Sequence, residues 1–350
     1  MAKSVPVARV KAPRRGTGSA AAVDLSGAPA GGWAAPDFAS VQGPEVRVYV
    51  GDCREAIPRI PECARGEVDL VFADPPFNWN RAYDEWRDEM PEAKYLDFTY
   101  DWIDLCAKAL RPAGSLWINI PDDWAGEIVC YLKGRLSRQP ARRMQVVDWC
   151  VWHYRFGQNT TARFINSKVH ALHFNALPEQ RVWKPERVLE LSDRASTYGD
   201  KRTLSKKDGM PAGLRVPMDV WYGKHWGRVQ GNNKERRGYH DNQLPEVYLH
   251  RVIASCTEEG ALVMDPFTGS GTTATVARAM NRRYVGTEFS RQNAENAFRR
   301  ATEIGLARPL PAGPESTAIF PQRRTLQVPG VGGVPGVPEV EAMDGDEGPA

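Results

Sequence analysis

The chain has 350 residues, of which 42% are apolar and 25% charged, and its formal net charge is +3. That balance describes a globular chain with enough apolar material for a sizeable core, and it excludes collagen-like, low-complexity and highly charged disordered classes. No apolar run approaches the roughly 20 residues of a membrane-spanning helix. The early basic residues of MAKSVPVARVKAPRRGTGSAAA lead into no continuous apolar stretch of the roughly 7–15 residues that a secretory signal has, so a cytoplasmic protein is expected.

Residues 1–44 are rich in Ala, Gly, Pro and Ser, lack hydrophobic periodicity, and are expected to be disordered. VRVYVGD (46–52) alternates as a strand does and ends in Gly51-Asp52. The next apolar run, Leu70-Val71-Phe72-Ala73, stops abruptly at Asp74-Pro75-Pro76-Phe77. Two consecutive prolines forbid helix, supply no backbone donor and hold the chain extended. A turn would need only the prolines, so the flanking acid and aromatic ring call for another account. YLDFTYDWIDLCAKAL (95–110) repeats its apolar positions at helical spacing, and Pro112-Gly114 follow as its stop.

SLWINI (115–120), MQVVDWCVWHY (144–154) and KVHALHFNA (168–176) read as three further strands. His170 and His173 stand three apart on the last of them, where a strand turns them to opposite faces, so they make no metal pair. The six cysteines are scattered without C-x-x-C spacing. Neither a zinc site nor a disulfide framework is indicated, and reduced thiols suit a cytoplasmic chain.

Residues 180–245 hold 14 Lys or Arg against 8 Asp or Glu, and the pattern to about Arg237 is polar, irregular and punctuated by Gly and Pro. A basic stretch of this kind suits phosphate contact, although charge alone fits an ordinary solvated face equally well. Regularity then returns, with a helix over 245–255, a strand ALVMDPF (261–267), a helix over 272–281 and a strand RYVGTEF (283–289). Ser290 suits the cap of a last helix, RQNAENAFRRATEI. From Arg308 onward, 3 basic and 6 acidic residues accompany the low-complexity VPGVGGVPGVPEVEA, and no packing is expected there. Strands alternating with helices predict an α/β fold with a mainly parallel sheet, into which the basic region is inserted.

MDPFTGSGTTATVARAM (264–280) joins a strand, a glycine loop and a helix. Gly269 and Gly271 would let backbone approach a ligand, although tight turns also use glycine for structure alone. The loop lacks the Lys of a nucleoside triphosphate loop. The following strand ends in Glu288, 19 residues after Gly269. That is close to the roughly 20 at which a strand-end acid meets ribose hydroxyls. An adenosine-type cofactor is therefore favoured over a structural turn.

Taken together, ADPPF, DPFTGSGTT and GTE resemble the S-adenosylmethionine-dependent amino methyltransferases that modify DNA bases at adenine N6 or cytosine N4. The catalytic element precedes the cofactor loop by 191 residues, with the basic insertion between, which resembles the beta-type motif order. The resemblance covers about residues 45–307 and implies a Rossmann-like class I methyltransferase fold, a mainly parallel sheet flanked by helices. Its implied parts are a catalytic half (45–178), a target-recognition insertion (179–237) and a cofactor-binding half (238–307), with a disordered tail over 308–350. It implies S-adenosyl-L-methionine as cofactor and double-stranded DNA as partner, with a homodimer as the assembly common in this permuted group.

By the same resemblance, Asp74, Pro75, Pro76 and Phe77 are the catalytic element, and Asp52 contacts the adenine amino group of the cofactor. Asp265, Phe267, Gly269, Gly271, Thr272, Thr273 and Glu288 make up the remaining cofactor signature. HDNQLPEVYLHRVI (240–253) resembles a segment usually close to H-P-T-Q-K-P-E, and keeps His240, Gln243, Pro245 and Glu246. Gln243 is carried over as a cofactor residue; Leu244 stands where Lys is usual and carries no role.

The chemistry suits these residue types. An exocyclic base amine is a poor nucleophile, because its lone pair is delocalised into the ring. Acceptors on both N–H bonds localise that pair, and Asp74 and the Pro75 carbonyl are suited to the task. Phe77 would stack on a base extruded from the duplex, returning about 1–3 kcal/mol of the few lost on flipping. Asp in the first motif position is more typical of adenine enzymes and Ser of cytosine enzymes, so adenine N6 is expected. Cytosine N4 is the alternative, and a silent DNA-binding subunit would have lost motifs that are intact here.

Overall fold

The computed structural model describes residues 32–311, apart from 81–87, 155–156, 158, 193, 195–201, 203–210, 224 and 241. The ends expected to be disordered therefore lie, for residues 1–31 and 312–350, outside the described residues. The strands are β1 (Phe38–Ser40), β2 (Val46–Val50), β3 (Val68–Ala73), β4 (Leu110–Ile120), β5 (Gln145–His153), β6 (Lys168–Asn175), β7 (Glu190–Leu191), β8 (Leu214–Arg215), β9 (Val220–Trp221), β10 (Leu262–Asp265) and β11 (Arg283–Glu288). The α-helices are α1 (Cys53–Ala56), α2 (Pro61–Ala64), α3 (Glu92–Ala109), α4 (Asp122–Leu132), α5 (Glu246–Cys256), α6 (Thr272–Ala279) and α7 (Arg291–Arg299).

Nine strands form one sheet in the order β1-β2-β11-β10-β3-β4-β6-β5-β9. The five strands from β2 to β4 run parallel, while β1 and β6 pair antiparallel with their neighbours. Side chains of β3 alternate between two cores. Val71 and Ala73 face α3 and α4, while Leu70 and Phe72 face α5 and α6. Helix α3 follows the same logic: Tyr95, Phe98, Trp102, Ile103 and Cys106 recur at helical spacing and are buried. Full burial of such side chains stabilises by roughly 1.5–3 kcal/mol each. Helices thus cover both faces, as a parallel sheet requires.

Three expectations are corrected. Packing begins before residue 45: Phe38–Ser40 pairs with β2, and the Phe38 ring stacks on Phe298 at 5.8 Å. A three-residue edge strand is too short for a periodic signal. Pro112 and Gly114 follow the helix but lie inside β4, where the register slips between Val68 and Leu70; the bulge accommodates the missing donor. The basic region is not wholly irregular, because β9 joins the sheet beside β5, and Trp221 and Trp226 from it are buried against Tyr248. Helix α4 lies in a stretch with no sequence expectation at all.

Because β2, β11, β10, β3 and β4 are parallel, their carboxyl ends share one edge. Asp52, Glu288, Asp265, Asp74 and Asn119 stand at those ends in strand order. Neighbouring strands are about 4.8 Å apart, so the four acids spread over roughly 14 Å. The chain leaves β10 toward β11 and β3 toward β4, which makes the β10/β3 boundary the switch point where such sheets open a cleft.

Candidate active site

The cleft at that boundary is lined at one end by Gly51, Asp52, Phe267, Gly269, Glu288 and Asn293. At the other end it is lined by Asp74, Pro75, Phe77, Trp152, Tyr154 and Arg228. Asp265 stands where the two meet, with Thr272, Thr273 and Gln243 also on the wall. The residues singled out in sequence from both signatures therefore line one cleft, with the exception of Gly271, which is not on its wall.

Asp74 follows directly on β3 and points into this cleft with partial exposure. Its Oδ1 accepts a hydrogen bond from Asn119 Nδ2 at 2.7 Å. Surrounding protein strips water from the carboxyl and pushes its pKa up to about 7; Asn119 opposes that rise and the charge of Asp265 adds to it. Asp265 is also pushed up to about 7 by burial, despite hydrogen bonds from Thr273 and the Phe267 amide, with the Glu288 charge adding to the rise. Asp52 differs. Burial opposes its ionisation, but hydrogen bonds from the side chain and amide of Arg54 prevail and hold it below the ordinary carboxylate range. Its side chain also caps α1.

The prolines hold the chain so that successive carbonyls diverge. Pro76 O accepts from the Tyr95 hydroxyl at 2.7 Å and Phe77 O from Trp124 Nε1 at 2.9 Å. Both bonds anchor the element to helices α3 and α4. The Phe77 ring meets Trp79 edge-on, with centroids 5.1 Å apart. Asn78 and Asn80 lie in the left-handed region, at φ 58° and 54°. This turn is held by Asp88, whose carboxylate accepts from the amides of Asn78 (2.8 Å) and Trp79 (3.0 Å).

The glycine loop is held by Glu288, whose Oε2 accepts from the Gly269 amide at 2.8 Å and Oε1 from the Ser290 amide at 3.1 Å. Ser290 caps α7 as its sequence position suggests. Gly269 has φ 49°, and a Cβ there would stand 3.0 Å from the His240 ring. Gly271 has φ 75°, and its Cβ would stand 2.8 Å from Ala297 Cα, so this glycine serves close packing of the loop on α7. Gly271→Ala is expected to destabilise by about 2–4 kcal/mol from combined strain and overpacking. Gly260→Ala has similar φ but open space around it, and should show only the strain of about 1–2 kcal/mol. Urea denaturation of both variants checks this, and equal losses would contradict the close-packing account.

Gln243 has a different position from that expected of a free ligand-binding amide. Its Oε1 accepts from the Arg237 amide at 3.0 Å and its Nε2 donates to Glu235 O at 2.6 Å, so it pins the end of the insertion to the cleft wall. Beneath the loop lies a pair missed in sequence. Arg300 is fully buried, pairs with Glu246 at 2.9 Å, and donates to Ser270 O and Thr272 Oγ1. Thr272 thus faces the support of the loop as well as the cleft. His173 is buried between Asp148 and Ser115, and His170 pairs with Asp122; no metal-binding cluster occurs among the described residues.

An extended cationic nucleoside fits this cleft on two observations. Asp52, Asp74, Asp265 and Glu288 concentrate negative charge, and the raised pKa values of Asp74 and Asp265 mark a field that a cation would relieve. Asn293 Oδ1, on the wall beside Ser290, is buried without a hydrogen-bond partner among the described residues. A ligand donor there would satisfy it.

Among the described residues, no helix is long and apolar enough to cross a membrane. Residues 68–299 match the family model of DNA methylases that modify N6 or N4 amino groups. The type II methyltransferase M.BamHI of Bacillus amyloliquefaciens is 31% identical over 246 residues, 69% of this chain and 54% of that protein, so the chain spans about half of this relative's length. The DNA adenine methyltransferase YhdJ of Escherichia coli is 26% identical over 282 residues, covering 74% of this chain and 83% of that one. The solved PvuII DNA methyltransferase, cytosine-N4-specific, shares the fold with a TM-score of 0.51 at 15% identity, over 75% of this chain and 88% of that one. With the family model matching two thirds of its length, and with the cleft described above, the chain belongs to the N6/N4 DNA methylase family, whose methyl donor is S-adenosylmethionine.

Proposed function

We propose that this protein methylates adenine at N6 in duplex DNA, taking the target base out of the helix and into the Asp74 end of the cleft. The observation that carries the reading is the position of Asp74. It stands at the end of β3, one strand from Asp265, and lines the cleft together with Pro75 and Phe77. An adenine amino group between the Asp74 carboxylate and the Pro75 carbonyl would donate one N–H to each, concentrating its lone pair toward the donor end. Bound S-adenosylmethionine supplies an electrophilic methyl group. The Asp74 carboxylate stabilises the positive charge that develops on nitrogen, and it stands within reach to take the departing proton. Phe77 offers the flipped base a face.

The finer choice of adenine rests on Asp in the first motif position and agrees with the activity named for YhdJ. Asp52, Phe267, Gly269, Glu288 and Asp265 would hold the nucleoside and keep its charged end toward Asp74. Thr272 and Thr273 steady that wall. Residues 179–237, with 238–307 returning to the cofactor end, are assigned to target recognition. Arg228 lies over the Tyr154 ring at 5.2 Å on the cleft wall, placing a cation where backbone or base would enter.

Incubation with labelled S-adenosylmethionine and unmethylated duplex DNA, followed by nucleoside analysis, should yield N6-methyladenine. N4-methylcytosine would move the assignment to the other base of the family, and transfer to no DNA would refute the substrate class.

A further inference from the structure

The carboxyl end of β4 carries a buried amide that the reaction scheme above does not use. Asn119 is 1% exposed and sits between two groups, Asp74 and Tyr248. Its Nδ2 donates to Asp74 Oδ1 at 2.7 Å, and its Oδ1 accepts from the Tyr248 hydroxyl at 3.2 Å. Tyr248 is itself fully buried on α5, wedged by Phe72, Trp152 and Trp221 at centroid distances of 5.2–5.7 Å.

An ionised carboxylate only accepts hydrogen bonds, so the amide must turn its Nδ2 toward Asp74. A flip would set Oδ1 against the carboxylate, so Asp74 fixes the amide, and the Tyr248 hydroxyl, which can donate or accept, ties its free Oδ1 by donating to it. The three rings packed around the buried Tyr248 restrict its movement. With Oδ1 of Asp74 held by Asn119, Oδ2 remains to meet an amine. We propose that Asn119 and Tyr248 are positioning residues, a buried relay that holds the Asp74 carboxylate in its acceptor orientation. This rests on the reading of Asp74 as the acceptor of the amine.

The relay also sets when Asp74 ionises. Asn119 is the hydrogen-bond donor that lowers the pKa of Asp74 against burial and the charge of Asp265. The other titratable or charged groups facing it are Tyr248 on α5 and, along the cleft, Asp52, Glu288, His240 and Arg228. Asp265 is the one carboxylate that contributes to the shift of Asp74, so loss of Asn119 should act in one direction.

The test combines a carboxyl titration with kinetics. In protein labelled with ¹³C at aspartate carboxyls, the Asp74 resonance is identified by its loss in Asp74→Asn. Its midpoint in the ligand-free wild type should lie near about 7, and should rise in Asn119→Leu and, by less, in Tyr248→Phe. Single-turnover transfer to unmethylated genomic DNA at pH 7 should fall on the order of 10–100-fold in Asn119→Leu. Tyr248→Phe should fall by less, with part of each loss recovered at higher pH and KM for DNA little changed. Folded variants with an unmoved midpoint and an unmoved pH profile would overturn the relay. Should Asn119→Leu not fold, Tyr248→Phe, which removes a single atom, decides the question by the same two readouts. Near wild-type transfer by Asp74→Asn would instead refute the acceptor reading, while the titration would still report on the relay.

Discussion

Asp74→Asn is expected to lower the rate of methyl transfer by on the order of 10²–10³-fold or more while leaving S-adenosylmethionine binding in place. Removing one preorganised partner of developing charge costs about 2.7–4 kcal/mol of transition-state stabilisation. The amide goes further, because it can present N–H toward N–H and carries no charge to balance a cationic nitrogen. Cofactor binding should survive because Asp52, Glu288 and the glycine loop lie at the other end of the cleft. Rate in single turnover and affinity by calorimetry separate the two effects. A variant that binds the cofactor weakly but transfers at the normal rate when saturated would place Asp74 in binding instead.

The pH dependence follows from the same group. Asp74 and Asp265 have folded pKa values raised from 3.8 to about 7. A raised value means that the folded state holds protons the unfolded state has released. The contribution of these groups to stability is therefore full below the unfolded value and lost as pH rises through about 7. A cation at the cofactor end opposes this preference at Asp265, the raised carboxyl that borders that end, by favouring its ionised form. Cofactor affinity should accordingly strengthen as pH rises toward 7 and level above it, with protons released on binding. Calorimetry at pH 6.5 in two buffers of unlike ionisation enthalpy measures that release, and proton uptake would contradict it. Transfer should gain with pH over the same window, since a protonated Asp74 has lost a lone pair and its charge.

Much of this site is legible because each acid sits where a strand pattern stops. Asp74 and Asp265 are the first polar positions after apolar runs, Asp52 and Glu288 follow their strands' apolar residues within three positions, and parallel strands put such positions on one edge. Lateral order along that edge is not written in any local pattern; it comes from the pairing of β10 with both β11 and β3. Asn119 carried a weak signal, a lone amide in SLWINI, a strand apolar on both faces where no water can solvate it. Its partner Tyr248 lies 129 residues away, beyond any spacing argument. Gln243 shows the opposite limit: motif lettering finds the residue, but its hydrogen bonds to Arg237 and Glu235 give it a tethering role that lettering cannot express. Helix α4 escaped notice because its apolar positions span little more than two turns, with Gly126 in the middle.

Arg300 is the clearest case of a residue whose role depends on tertiary packing, and it carries the second large expected effect. In RQNAENAFRRATEI it reads as one more surface cation on a polar helix. In the fold its guanidinium is fully buried, with Glu246 Oε1 at 2.9 Å on one side and Ser270 O at 3.1 Å and Thr272 Oγ1 at 2.8 Å on the other. Glu246 also accepts from the Ala307 amide at 3.1 Å. The pair thus joins α5, the glycine loop and the segment after α7 at one point. Breaking a buried ion pair from one side leaves the other charge uncompensated, which costs about 3–5 kcal/mol. Arg300→Met and Glu246→Gln should each approach that loss in urea denaturation. Combined, they should lose less than the sum of the two. The double variant buries no lone charge, and the side-chain amide oxygen that Glu246→Gln introduces would still accept from Ala307. The glycine loop tells the rest. Arg300→Met frees Ser270 O and Thr272 Oγ1 from their support, so cofactor affinity should weaken more in Arg300→Met than in Glu246→Gln, where the guanidinium still holds the loop. Additive losses, or equal affinities, would reduce the pair to an ordinary packing contact with no bearing on the cofactor loop.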